Sequence, residues 1–186
     1  AHVEGVVAGQ AFRLELAPIG FRSIELRDPE GDAELLVNDV PIFCRGACWT
    51  PIDLLSLGAS PDDLRRALED ARDAGMNMLR ITGNMVYEST AFYALCDALG
   101  ILVWQDFMFA SLDYPTQDPD FIANVEREVD DTLDRIAYRP SLAVLCAGSE
   151  LAQQPAMLGL PRELWHDDWF TIRLPELCRA HRPDVP

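Results

Sequence analysis

Hydrophobic and polar positions divide the chain into two patterns. In the first part apolar residues alternate with polar ones, as in Phe12-Arg13-Leu14-Glu15-Leu16 and Phe21-Arg22-Ser23-Ile24-Glu25-Leu26. Alternation is the signature of strands with one face buried. Asp28-Pro29-Glu30-Gly31 is built of turn residues. Glu34–Val37 and Pro41–Cys44 flank Asn38-Asp39, which predicts a hairpin.

From about Phe43 the pattern becomes strand, then helix, repeated. Ser60-Pro61-Asp62-Asp63 combines a cap, a proline for the first helical position and acids for the first turn. Leu64, Ala67, Leu68 and Ala71 form the apolar stripe, and Gly75 ends it. Met76–Ile81 reads as a strand, and Phe92, Leu95, Cys96 and Leu99 mark a helix closed by Gly100. Ile101–Trp104 is the next strand. Asp118-Pro119 opens a helix with Ile122, Val125, Val129, Leu133 and Ile136 on one face. Leu142–Ala147 is a fourth strand, followed by a loop over Leu151–Asp168 and a helix over Trp169–Ala180.

Alternating strands and helices predict an α/β fold with a parallel sheet, open or closed. A complete immunoglobulin-like sandwich needs about 100 residues, so 1–40 reads as the last strands of a β-sandwich domain. A closed (β/α)₈ barrel needs about 250 residues, so 41–186 holds half a barrel or an open four-stranded sheet. The chain has neither G-x-G-x-x-G nor a Walker A loop, which argues against a nucleotide-binding sheet. It shows no internal repeat.

The 186 residues carry a net charge of −16, 49% hydrophobic residues and a mean hydropathy near zero. Every one of the 15 basic residues is arginine. Such acidity disfavours nucleic acid and anionic membranes as partners. A neutral sugar is compatible with it, and most of the acids read as a solvated surface. No apolar stretch is long enough for a bilayer. Ala1–Gly5 lacks the basic-then-apolar pattern of a signal peptide. The five cysteines, Cys44, Cys48, Cys96, Cys146 and Cys178, form no C-x-x-C pair and match no zinc spacing. On one strand Cys44 and Cys48 would be about 13 Å apart, too far for a disulfide. A reducing, cytoplasmic setting is therefore expected, with neither metal nor cofactor.

Each expected parallel strand ends in groups suited to chemistry. The first leads to Arg45 and Trp49, the second ends at Arg80, the third at Trp104-Gln105-Asp106 and the fourth at Ser149-Glu150. In such folds the carboxyl ends of the strands carry the site. Glu150 there can give or take a proton. It could equally be an acid at a helix start. Tryptophan stacks on a sugar face, and planar charged groups bind its hydroxyls. Singly, Trp49 and Trp104 read better as core aromatics, Arg80 reads equally well as a structural ion-pair partner, and Asp106 could cap the following segment. Jointly, Trp49, Arg80, Asp106 and Glu150 are expected around one concavity. His166 and His181 lie away from strand ends.

These segments resemble the family 2 glycoside hydrolases, most closely the β-mannosidase-like branch. The resemblance is carried by Val37–Phe43 with Arg45-Gly46-Ala47-Cys48-Trp49-Thr50-Pro51, then Gly75–Arg80, Tyr87-Glu88 and Phe92-Tyr93. Further along it is carried by Cys96-Asp97, Gly100–Phe109, Tyr114-Pro115, Arg139–Leu142 and Gly148-Ser149-Glu150. It runs in order over roughly residues 18 to 182 and implies the end of a sandwich domain and strands one to four of a catalytic barrel. It further implies that Glu150 is the general acid/base of a retaining mechanism, with Trp49, Arg80, Trp104 and Asp106 in or beside the sugar site. The nucleophile of such a mechanism would come from strand seven. Cys48 stands where the family usually has Asn. Ser149 replaces an Asn that contacts the sugar 2-hydroxyl, a contact worth several kcal/mol, so that contact is expected to be weaker. Two functions remain in view: a segment of a β-glycosidase, acting on β-mannosides or on another sugar, and a non-catalytic sugar-binding or scaffold domain. The edge of the last strand is expected to promote self-association.

Overall fold

A computed structural model of the chain describes residues 2–15, 18–28, 32–165 and 167–186. Leu16, His166 and most of the turn expected at Asp28–Gly31 fall outside them. Among the described residues there are three sheets. β1 (His2–Val7) and β2 (Gln10–Glu15) form an antiparallel hairpin. β3 (Ile24–Arg27), β4 (Glu34–Val37) and β5 (Val40–Ile42) form an antiparallel sheet in that order. Asn38 and Asp39 take φ of 51° and 63°, the left-handed pair that a tight hairpin demands.

The third sheet is parallel and runs in chain order: β6 (Gly46–Trp49), β7 (Met78–Ile81), β8 (Leu102–Asp106) and β9 (Leu142–Cys146). Helices α1 (Pro61–Asp73), α2 (Thr90–Leu99) and α3 (Pro119–Ile136) make the crossovers. The caps are those the sequence predicts at α1 and α3. Ser60 accepts from the Asp63 amide, and Asp118 accepts from those of Asp120 and Phe121. After β9 come α4 (Gln153–Met157), a 3-10 turn at Arg162–Leu164, a wide turn at Trp169–Arg173 and α5 (Leu174–His181).

Four expectations change. The first parallel strand is Gly46–Trp49, not the segment ending at Cys44, so Cys44 and Cys48 do not share a strand. Residues 43–45 are instead taken up by Asn77, whose side chain bonds the Arg45 amide at 2.7 Å and the Phe43 carbonyl at 3.0 Å. The stretch from Leu151 to Asp168 holds α4 as well as loop. Nothing in the sequence announces α4, because Ala152 supplies no side-chain cap. The alternation from Phe21 yields a strand only from Ile24. His2–Val7 is a strand the alternation does not mark.

The two faces of the parallel sheet have different fates. Register pairs Trp49 with Ile81 and Gln105 with Leu145, which puts these side chains on one face. That face meets the helices. Trp49, Ile81, Val103, Phe92 and Leu68 share one core, and Phe107, Val129, Leu133 and Phe170 share the next. Each large apolar side chain buried there contributes about 1.5–3 kcal/mol. Cys48, Arg80, Trp104 and Val144 are lateral neighbours on the opposite face. There the amino ends of the strands are covered by the three-stranded sheet, with Ile24 and Leu35 packed against Met78 and Ala143. Position 40/41 falls inside β5, whose sheet shares this core with the parallel strands. The edge of β9 is bordered by the chain itself: the Leu145 amide donates to the Pro186 carbonyl at 2.9 Å.

Arg22 fastens the two parts. Its guanidinium donates to the Pro140 carbonyl at 3.1 Å, to the Leu142 carbonyl and to Asp184 at 2.7 Å, with only 8% of the side chain exposed. Arg182 forks onto the same Asp184 at 2.7 and 2.8 Å. Hydrogen bonds from Arg182 and then from Arg22 hold the Asp184 carboxyl well below the usual carboxylate range. A depressed folded-state value means stability that is complete above the unfolded pKa, about 4, and lost as the pH falls further. Urea midpoints measured between pH 7 and pH 2.5 should therefore decline below about pH 4, and Asp184→Asn should flatten that decline. An unchanged acid limb in the variant would mean that other carboxylates carry it.

Candidate active site

Asp106 closes β8 on the face away from the helices, with none of its surface exposed. A buried carboxylate must be paired and hydrogen-bonded, and Asp106 is surrounded. Arg80 Nε approaches Oδ1 at 3.1 Å and Arg80 Nη2 approaches Oδ2 at 2.8 Å. Trp104 Nε1 donates to Oδ1 at 2.8 Å. The Gly83 amide and the Ser149 hydroxyl donate to Oδ2 at 3.2 and 2.6 Å. This fork–fork contact pushes Arg80 still further above its usual range. The guanidinium also lies 5.0 Å from the centre of the Trp104 ring, within cation–π distance.

Glu150 follows immediately after Ser149. Its backbone is left-handed, with φ of 53°, and Ser111 opposite it has the same value. Such positions cost on the order of 1–3 kcal/mol in residues other than glycine and gather at functional sites. The Glu150 side chain is exposed, and Ser111 Oγ donates to its Oε2 at 3.3 Å. The backbone under it is pinned: Ser149 N donates to the Phe109 carbonyl at 2.8 Å, and Ser111 N to the Ser149 carbonyl at 3.0 Å.

The close packing of these loops requires glycine at two places. A Cβ on Gly83 would strike the carbonyl oxygens of Phe107 and Phe109, and one on Gly148 would strike that of Phe109. Gly83 has no role in the sequence reading. A glycine directly after a strand, in Ile81-Thr82-Gly83, is the available signal of close backbone approach. Ser111 gives no sequence signal at all.

The structure thus gathers Arg80, Trp104, Asp106 and Ser149, with Glu150 beside them. It does not bring Trp49 into the group. Trp49 faces the helix layer, 5.1 Å from Phe92 between ring centres, and donates Nε1–H to the buried Glu88 at 2.8 Å. The cause is register. With β6 at Gly46–Trp49, Cys48 is the neighbour of Arg80, and Trp49 points the other way. A separate cleft of about 280 Å³ lies past the ends of β8 and β9, lined by Tyr114, Ala147, Leu151 and Trp165 among others. No cluster of metal-ligating side chains occurs among the described residues, and no helix is long and apolar enough to cross a membrane.

No protein-family model matches the chain. Mouse β-mannosidase is 39% identical to it over 140 residues, which are 72% of this chain and 16% of that protein. Among solved structures, a β-D-mannosidase from Dictyoglomus thermophilum superposes with a TM-score of 0.79 at 33% identity, covering 97% of this chain and 22% of that one. The chain belongs to the β-mannosidase-like branch of glycoside hydrolase family 2. The family resemblance read from the motifs is borne out, and the segment spans about a sixth of the curated mannosidases it matches. An exo-chitosanase from Amycolatopsis orientalis shares the fold, with a TM-score of 0.77 at 18% identity over 100% of this chain and 21% of that one.

Two substitutions separate the faces of this mannosidase-like sheet. Asp106→Asn leaves Arg80 without its carboxylate. Removing one partner of a buried pair costs about 3–5 kcal/mol, and the 34% exposure of Arg80 places the expected loss at the lower end. Trp49→Phe removes the donor to Oε1 of the buried Glu88, whose Oε2 keeps the Ser89 amide at 3.2 Å, and should cost about 1–3 kcal/mol. Urea denaturation measures both. A Trp49→Phe variant as stable as the parent would show that the Trp49–Glu88 bond carries no weight.

Proposed function

We propose that this chain is the segment of a retaining β-glycosidase that carries its general acid/base, and that the enzyme hydrolyses terminal β-linked sugars, β-mannosides first among them. On this reading β6 to β9 are strands one to four of a (β/α)₈ barrel, and the preceding strands are the end of an immunoglobulin-like sandwich. The observation that carries it is that Ser149, the residue before Glu150, is bonded to the Arg80–Asp106 pair across adjacent carboxyl strand ends, in a chain 39% identical to a β-mannosidase over 140 residues.

The chemistry follows from the two carboxylates that the mechanism needs. Glu150, protonated, gives its proton to the glycosidic oxygen as that bond breaks, while a second carboxylate attacks the anomeric carbon. Glu150, now ionised, takes a proton from water, and the resulting hydroxide displaces the enzyme carboxylate. Asp106 is unsuited to the second role, because five donors occupy its oxygens and it is enclosed. The nucleophile is therefore assigned to a later barrel strand, outside these residues. Arg80 and Trp104, both partly exposed, offer a donor edge and an aromatic face to a sugar.

In the whole enzyme, Glu150→Gln should depress hydrolysis of phenyl β-mannoside by about 10²–10⁴-fold and spare the first step on 2,4-dinitrophenyl β-mannoside, whose leaving group needs no proton. Equal losses on the two substrates would remove the acid/base role. The 186-residue chain alone should not turn over either substrate, since it brings one of the two carboxylates. Turnover abolished by Glu150→Gln in the isolated segment would require a nucleophile within it. A sugar-binding or scaffold role would instead show as binding of β-mannosides by the whole protein without hydrolysis.

A further inference from the structure

Ser149 has no hydrogen left to donate to a substrate. A serine hydroxyl has one hydrogen to donate, and here it goes to Asp106 Oδ2 at 2.6 Å. The same oxygen accepts from the Gly83 amide at 3.0 Å. The backbone N–H and C=O of Ser149 are taken by Phe109 and Ser111 at 2.8 and 3.0 Å. Four hydrogen bonds to Ser149 therefore join the chain after β7, β8 and β9. The Glu150 carboxyl, by contrast, is held by little of its own: the residue has a strained backbone whose carbonyl accepts from the Gln153 amide at 2.9 Å, but its side chain is exposed and takes one bond of 3.3 Å from Ser111. What fixes the carboxyl in space is the residue before it.

We propose that Ser149 is a positioning residue for Glu150: its hydroxyl, locked between Asp106 and the Gly83 amide, sets where the Glu150 carboxyl stands, and it makes no contact with the sugar. This rests on the acid/base reading of Glu150. Asp106 then serves two loops at once, orienting Arg80 on one side and anchoring Ser149 on the other. A residue without a hydroxyl at this position leaves the Gly83 amide and the Asp106 carboxylate each one hydrogen bond short.

The test is kinetic, in the whole protein that carries this segment, with phenyl and 2,4-dinitrophenyl β-mannosides and their 2-deoxy analogues. Ser149→Ala should lower kcat on the phenyl substrate about 10–100-fold, the scale of an ångström-sized misplacement, with KM little changed. The loss should be much smaller on the dinitrophenyl substrate, and the same in fold-change for the 2-deoxy analogue of each. Ser149→Thr, which keeps the hydroxyl, should restore most of the rate. Ser149→Asn should give no gain. A loss that vanishes on the 2-deoxy substrates would overturn the proposal, because it would mean direct contact with the 2-hydroxyl. Equal losses on both leaving groups would also overturn it. Glu150→Gln run alongside tells the two failures apart: without its own leaving-group dependence, the reading of Glu150 falls and takes this one with it. If Ser149→Ala does not fold, Ser149→Cys keeps the size, weakens both hydrogen bonds and carries the same comparison.

Discussion

A carboxylate with no exposed surface survives in a fold only when its surroundings replace water completely. Asp106 meets that condition through Arg80, Trp104, Gly83 and Ser149, which come from the ends of three different strands. Each donor is positioned by its own strand or loop, so the carboxylate is satisfied only when all three are in place. The geometry at Glu150 is thereby coupled to the correct packing of β7, β8 and β9. Local opening of any one of these ends would leave an unpaired charge behind, which is costly enough to keep the others shut.

The same logic of arginine forks appears twice more. Arg22 joins the entry of β9 to Asp184 near the end of the chain. Arg139 donates to Asp97 at 3.1 Å, and Asp97 also accepts from the Ser141 amide at 3.0 Å, so α2 braces the start of β9. In a chain without lysine, these ties fall to the planar guanidinium, which can reach several acceptors at once. The acids far outnumber the arginines, and those arginines that lie inside are spent on joints between elements. β9 receives two of these joints at its entry and Ser149 at its exit, which suits a strand that, on the proposed reading, delivers the acid/base.

Much of this was legible in the sequence, for identifiable reasons. Local chemistry announced the hairpin at Asn38-Asp39 and the caps at Ser60 and Asp118, because those signals act over a few residues. Periodicity marked α3 and the strands on either side of it. The face to which Trp49 points was not legible, since it depends on the start of β6 to within one residue. That start is fixed by Asn77, more than thirty positions away. α4 has neither a cap nor a stripe. The union of Ser149 with Asp106 and Gly83 is a contact between residues 43 and 66 positions apart, and no local pattern encodes it. Reading Ser149 as a shortened sugar ligand follows from position in a motif. Reading it as a joint needs the third dimension.

The three loops tied by Ser149 also bear on how such a fold changes. On the proposed barrel reading these loops lie at its mouth, where loops are commonly regarded as separable modules, each open to exchange while the scaffold stays put. Here the segments after β7, β8 and β9 share one hydroxyl, one carboxylate and two glycines that tolerate no side chain. A graft that replaces one of them with a loop from a relative would break the bonds held by the other two. Retuning specificity at this rim would require moving all three as a unit, or working from the fourth loop, after β6, which has no bond to the Ser149–Asp106 joint among the described residues.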